Sequence, residues 1–293
     1  MSLMSKLLSL AVLTTLSINA STDVKDVKSY IKNHMVQNAQ VKVESVDIID
    51  TKALDNPKGW EVFFVNIHAS VKKAPTIFDK VIVPETLFVK DGYFAPTLIN
   101  MKTGEDYKRI LKPKLKKEIY DDKHLIAGNK DAKHKIVVFS DPQCPFCQTI
   151  IPKVYKATVD NPKTFALYYY HFPLLRIHPV SDIISRAMVV EHQKGNNQKV
   201  MDMYKFKINP REVNATKVLG RLNKEFSMNI TEEQLNTDAV NKELKFDKEM
   251  ATKAMVSGTP TIYIDEVWDP TRKKYRTFYD APAEEETKEP AHH

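Results

Sequence analysis

The stretch Ile136-Val137-Val138-Phe139-Ser140-Asp141-Pro142-Gln143-Cys144-Pro145-Phe146-Cys147 holds the only two cysteines among 293 residues and decides the fold. Its first four residues form an unbroken apolar strand, and Ser-Asp-Pro-Gln turns the chain. The cysteines then open a helix-like stretch from Cys144 to about Val159. Cysteines at i and i+3 on a first helical turn lie roughly 5 Å apart, inside the ~4.4–6.8 Å window for a disulfide. The first also sits where unpaired N–H groups and the helix dipole favour an anion, so its thiolate is stabilised. A loop this short removes little chain entropy. Such a bridge makes a poor staple and suits cycling between dithiol and disulfide.

C-terminal to this point the pattern is β-α-β: the strand Lys135–Phe139, the cysteine helix, then the strand Phe165–Tyr170. Both strands are apolar without alternation, which predicts central places in a covered sheet. Val180 to Met255 reads as helical, broken at Gly195-Asn196-Asn197 and Asn209-Pro210, with Thr231-Glu232-Glu233-Gln234 as a capping box opening the last helix. The chain returns to strand at Thr261–Ile264, turns near Asp269-Pro270, and is expected to pair again through Lys274 to Tyr279. Residues 281–293 are Pro-, Glu- and Lys-rich and read as a disordered tail, with no role assigned to His292-His293.

N-terminal to the cysteines, residues 105–130 read as a basic linker helix that Pro113 kinks or splits. Lys108 to Lys117 carries six positive charges and no negative one. Without interleaved aromatics this is a solvated linker rather than a nucleic-acid patch. Residues 21–104 read as a small α+β unit. Val24, Val27, Tyr30, Ile31 and Met35 give a helical stripe, Val41–Ile49 and Trp60–Val71 are strands, and Leu87–Phe94 is a hairpin turning on Asp91-Gly92. Thr97 to Met101 pairs again before the Lys102-Thr103-Gly104 turn. The first twenty residues have a basic Lys6, an apolar Leu7–Leu16 and a small residue at Ala20, as a secretory signal does. Net charge is +7, one unit less without that segment.

The Cys-Pro-Phe-Cys pair, Pro152 inside the following helix and Gly258-Thr259-Pro260-Thr261 before a strand together resemble the thioredoxin superfamily, and more narrowly its exported Dsb-type thiol–disulfide oxidoreductases. The N-terminal unit, the linker and the Lys102-Thr103-Gly104-Glu105 junction are similar to the two-domain DsbC/DsbG-like disulfide isomerases. The resemblance implies an α+β / α/β architecture: a signal peptide at 1–20 and a cystatin-like dimerisation domain at 21–104, then a linker helix at 105–130. A thioredoxin-like catalytic domain at 131–280 follows, with a helical insertion at about 175–256. It implies that Cys144 is the nucleophile, that Cys147 resolves the mixed disulfide, and that Pro145 and Phe146 tune the pair. It further implies that Thr259 and Pro260 form a substrate-binding cis-proline loop, the alternative being a plain turn proline. It also implies periplasmic residence, a homodimer through the N-terminal domain, misoxidised or unfolded exported proteins as substrates, and a membrane redox partner. No cofactor is expected beyond the redox-active Cys144–Cys147 disulfide, and no nucleic acid.

Two features depart from the pattern. No helix is visible after the last strand to cover the sheet, and Cys-Pro-x-Cys is also the motif of the oxidising DsbA type. A dimeric DsbA-like disulfide oxidase is therefore the enzyme alternative to isomerase, and a periplasmic chaperone or binding module is the non-enzyme one. A zinc site lacks a second cysteine pair, and haem attachment lacks a histidine after Cys147, where Gln148 stands. His171 and His178 read as structural histidines near the active face. Asp141 either caps the cysteine helix or makes its turn. Met201, Met203, Met228, Met250 and Met255 read as helical core. Seven glycines form no phosphate cradle, and G-x-S-x-G and H-E-x-x-H are absent.

Overall fold

The computed structural model describes residues 23–280; the signal-like segment at 1–20 and the tail at 281–293 lie outside the described residues. The helix α1 (Val24–Tyr30), prolonged by a wider turn at Ile31–Met35, precedes the strands β1 (Val41–Ala53), β2 (Glu61–Ala74), β3 (Ile77–Lys90) and β4 (Tyr93–Ala95). The strands form an antiparallel meander in sequence order. Asp91 and Gly92 both take positive φ, 50° and 78°, as a two-residue hairpin requires. One face of this sheet buries Val43, Val46, Phe63, Val65 and Leu87 beneath Val27 and Ile31 of the helical stripe. The other buries Leu54, Val62, Phe64 and Phe88 against Tyr107, Leu111 and Met255, which joins it to the rest of the chain.

After the one-turn helix α2 (Tyr107–Ile110) come β5 (Leu125–Gly128), β6 (His134–Ser140), α3 (Pro145–Asp160) and β7 (Phe165–His171). The insertion follows as α4 (Ser181–Gln193), α5 (Asn197–Asp202), α6 (Ala215–Glu225), α7 (Glu232–Leu235) and α8 (Asp238–Lys253), before β8 (Thr261–Ile264) and β9 (Val267–Trp268). The sheet order is β5-β7-β6-β8-β9, with β6 and β7 parallel and the other pairings antiparallel. The apolar strands thus occupy the centre, covered on both faces. Ile136, Val138, Leu167 and Tyr169 pack with α3 and the insertion. Val137, Phe139, Tyr168 and Tyr170 pack under Met250 and Ala251 of α8 and under Leu115 and Ile119. This is a thioredoxin-like α/β sheet with a helical insertion.

Four expectations are corrected. The linker helix at 105–130 is a single turn, α2, followed by extended chain, two 3-10 turns and β5. Pro113 pushes the residue before it out of helix, and like charges at Lys108, Lys112 and Lys116 repel at i,i+4. Leu111 and Leu115 meanwhile pack into different cores. Lys274 to Tyr279 forms a 3-10 turn at Lys274–Phe278 rather than a strand. The Asp269 carboxylate accepts from Thr271 N and Lys274 N, and so curls the chain away from β9. Tyr275 is then buried, Phe278 stacks on His134 at 3.9 Å between ring centroids, and Tyr279 meets Phe165 edge-on, so an aromatic turn stands where a cover helix was missing. Thr97–Met101 contributes only the bridge Ile99–Asp106. The capping box at Thr231–Gln234 is present but opens α7; α8 has its own cap at Thr237.

Candidate active site

The end of β6 delivers Ser140 and Asp141 beneath the turn that launches α3. Cys144 occupies the N-cap position, Pro145 the first helical position, and Cys147 faces inward one turn on. Both cysteines stand as free thiols. Cys144 is 5% exposed and Cys147 fully buried, so only the first is within reach of another molecule.

The two thiols are driven apart. Hydrogen bonding from the Cys147 side chain, joined by the backbone N–H groups of Cys147 and Phe146, outweighs the burial of Cys144. Its pKa falls to about 6. Burial, reinforced by Cys144, raises Cys147 well above the ordinary thiol range. At neutral pH the pair therefore holds one thiolate, at Cys144.

The Cys144 sulfur lies 3.4 Å from the Thr259 carbonyl oxygen, and the Thr259–Pro260 peptide is cis. The two segments, more than a hundred residues apart in sequence, meet because β6 and β8 are paired from Ile136–Ile264 to Phe139–Thr261. Phe146 is half-buried beneath the Arg272 guanidinium, 5.7 Å from the ring centroid. Arg272 carries no signal in the sequence, since only the turn after β9 brings it here.

Asp141 is the hub of the turn. Its buried carboxylate accepts from Gln143 N at 2.8 Å, Ser181 Oγ at 2.6 Å, Leu174 N at 2.9 Å and His178 Nδ1 at 2.8 Å. Of the two readings of this residue the turn is the one observed; the N-cap of α3 is Cys144 itself, with no side-chain cap. His178 is thereby committed to Asp141. His171 Nδ1 and His124 Nε2 share the buried Asp247 at 2.8 and 2.7 Å. These histidines serve the scaffold. Met201, Met203, Met228 and Met250 are buried in the cores, and Met255 packs at the junction of the two units.

A thioredoxin family model matches residues 121–279, more than half of the chain. The chain belongs to the thioredoxin family. Probable disulfide bond formation protein D of Bacillus anthracis is 28% identical over 150 residues, which span 47% of this chain and 68% of the relative. Among solved structures, a thioredoxin-like oxidoreductase from Silicibacter pomeroyi aligns with TM-score 0.45 and 23% identity, over 53% of this chain and 89% of that one. BdbD from Bacillus subtilis aligns with TM-score 0.43 and 21% identity, over 53% and 89%.

Within this thioredoxin-family member the chemistry is that of a thiol–disulfide oxidoreductase. The arrangement is suited to that exchange: a thiolate at Cys144 can attack a disulfide sulfur and form a mixed disulfide, which Cys147, one helical turn inward, can resolve by closing the internal bridge. Run in reverse, an incoming thiolate opens the Cys144–Cys147 bridge.

Proposed function

We propose that this chain is a periplasmic disulfide isomerase or reductase of a Gram-negative bacterium, acting on exported proteins through Cys144 and Cys147. The observation that carries the reading is the single thiolate at Cys144, placed at the N-terminus of α3 beside the Thr259 carbonyl. There an unfolded segment adds as a short strand. Pro145 and Phe146 set the backbone around the reacting sulfur, and the cysteine pair carries the electrons without another cofactor. The leader-like residues 1–20 support export. A homodimer through the N-terminal sheet is supported by Ile77, Phe78, Ile82 and Val83, which are exposed together along β3. The proposal includes a membrane redox partner that restores the pair whenever a turnover ends in net reduction of the substrate rather than in redox-neutral isomerisation.

A second reading, a DsbA-like disulfide donor, is favoured by two observations. The relative from Bacillus anthracis is named for disulfide bond formation, and a stabilised Cys144 thiolate favours the reduced form and so makes the disulfide a stronger oxidant. The deciding experiment acid-quenches living cells and mass-tags free thiols. A pair held reduced, with a purified dithiol form that reactivates a scrambled substrate, fits the isomerase. A pair found oxidised, with rapid oxidation of reduced substrate, assigns the donor role. Full function with Cys144→Ala overturns both and leaves a binding module. Light scattering that gives the mass of one chain defeats the dimer.

A further inference from the structure

The chain between α8 and β8 carries the Thr259 carbonyl to its place beside Cys144, and it is held at both ends. Downstream, Thr261 enters β8 opposite Phe139, and its hydroxyl donates to the Gly258 carbonyl at 2.7 Å. Upstream, α8 closes through bonds from Met255 N to the Thr252 carbonyl and from Val256 N to the Ala251 carbonyl. Met255 turns at φ 52°, a left-handed conformation that a residue with a Cβ disfavours. Two contacts from outside the catalytic unit hold it there. Its side chain packs on the Leu54, Val62, Phe64 and Phe88 cluster of the N-terminal sheet, and its carbonyl accepts from Lys112 Nζ at 2.5 Å. The same ammonium reaches Ser257 Oγ at 3.4 Å. Lys114, Lys116 and Lys117 of that basic segment are exposed, whereas Lys112 is half-buried and burial lowers its pKa. A cation withdrawn onto a neutral carbonyl and a hydroxyl gives up hydration that an exposed lysine keeps.

We propose that Lys112 and Met255 are positioning residues for the Thr259 carbonyl: the junction and the N-terminal sheet fix the stem of the loop on which a substrate backbone docks. The inference rests on the exchange reading of the cysteine pair and on strand addition at Thr259. An added strand must present its disulfide in register with the attacking sulfur. That sulfur lies 3.4 Å from the Thr259 carbonyl oxygen, and a displacement of about 1 Å at such a site slows reaction strongly. Only Gly258, the least restrained residue type, separates Ser257 from Thr259, so the Lys112 bonds restrict a stretch that the sequence leaves loose. Lys112 thus acts on where a backbone docks and not on the thiol chemistry. Its loss changes selectivity: disulfides that carry peptide backbone react more slowly, and those without it do not.

The test compares two uncharged disulfides with the reduced full chain. One is an end-capped peptide whose cysteine carries mercaptoethanol; the other is hydroxyethyl disulfide, which has no peptide backbone. In each, the Cys144 thiolate bonds to one sulfur as the S–S bond breaks, and Cys147 then gives up its proton and closes the bridge. The chain is oxidised by two electrons and the disulfide, reduced by two, leaves as its thiols. Acid quenching and mass spectrometry give the second-order rate constant for each.

Lys112→Met is expected to lower the rate with the peptide about tenfold, the order of one hydrogen bond from a charged group, and to leave hydroxyethyl disulfide at the parental rate. Met255→Gly suits the left-handed backbone and removes the side chain from the N-terminal sheet, and it should lower the same ratio. A merely structural role would lower thermal stability and slow both disulfides alike. A parental ratio in both variants, or an equal loss on both disulfides, overturns the inference; should Lys112→Met fail to fold, Met255→Gly decides alone. A parental chain that reacts with neither disulfide defeats the exchange reading, and this inference with it.

Discussion

Cys144 and Cys147 lie one helical turn apart, yet hydrogen bonding from the Cys147 thiol, with the N–H groups of the helix terminus, lowers one thiol and burial raises the other. Thiolate absorbance of the reduced protein is therefore expected to titrate with a midpoint near pH 6, from Cys144 alone. Cys144→Ser should remove that transition and Cys147→Ser should preserve one. The linkage follows in sign. A thiol whose folded pKa is depressed stabilises the reduced fold above the unfolded thiol range, and that contribution is lost as pH falls through about 6. Denaturation of the reduced chain at several pH values checks it. Asp141 is the neighbouring residue with most to lose. Asp141→Ala strands four donors in a buried turn and is expected to cost about 3 kcal/mol or more, read from urea midpoints. The cysteines and Thr259-Pro260 were legible because their chemistry is written in adjacent residues. Arg272 was not, because its place over Phe146 depends on a meeting of distant segments.

At the scale of elements, strands with continuous apolar runs were readable and connections were not. β6, β7 and β8 announce themselves by composition, and α3 by the helix-like stretch that opens at the cysteines. The segment between the two units has the composition of a charged helix, but tertiary contacts override that local preference. It ends in β5, whose last residue shows how tightly the edge is docked. Gly128 has φ +80°, and a Cβ built there would lie 2.0 Å from the Phe165 carbonyl oxygen, a backbone atom that cannot step aside. Gly128→Ala is expected to destabilise the domain by about 3 kcal/mol through combined strain and overlap. A calorimetric transition unchanged from the parent would refute this. The strand expected after Asp269 failed for a different reason: one carboxylate collected the backbone donors that a ladder would have needed.

Across the whole molecule, Asp247 of α8 joins His171 at the end of β7 to His124 in the segment before β5, and His124 stacks on Tyr170 at 4.2 Å. Burial would lower the His124 pKa, but the hydrogen bond and charge of Asp247 outweigh it and the net shift is upward. Burial likewise works to raise Asp247, and the two histidines bring it below the carboxylate range. The raised histidine contributes stability that is complete below the unfolded histidine pKa and lost as pH rises through the folded one. The depressed carboxylate contributes stability lost as pH falls through its own folded value. Thermal midpoints are expected to peak between those limits. Asp247→Asn should lower them and flatten the alkaline limb, at a cost of about 3–5 kcal/mol for breaking a buried pair.

The cationic segment that joins the two units is fastened at both ends. Lys112 Nζ reaches the Met255 carbonyl at 2.5 Å, Lys114 N the Asp50 carboxylate at 2.9 Å, and Leu115 N the Glu266 carbonyl at 3.0 Å. A loose tether so rich in lysine would be the first place trypsin cuts. Here the protease needs an extended, unpaired stretch of backbone and finds one already engaged on two sides. Limited digestion is expected to spare this segment while exposed lysines elsewhere are cleaved, and Asp50→Ala should make it the early site. The most basic ten residues of the protein would then be among its hardest to nick.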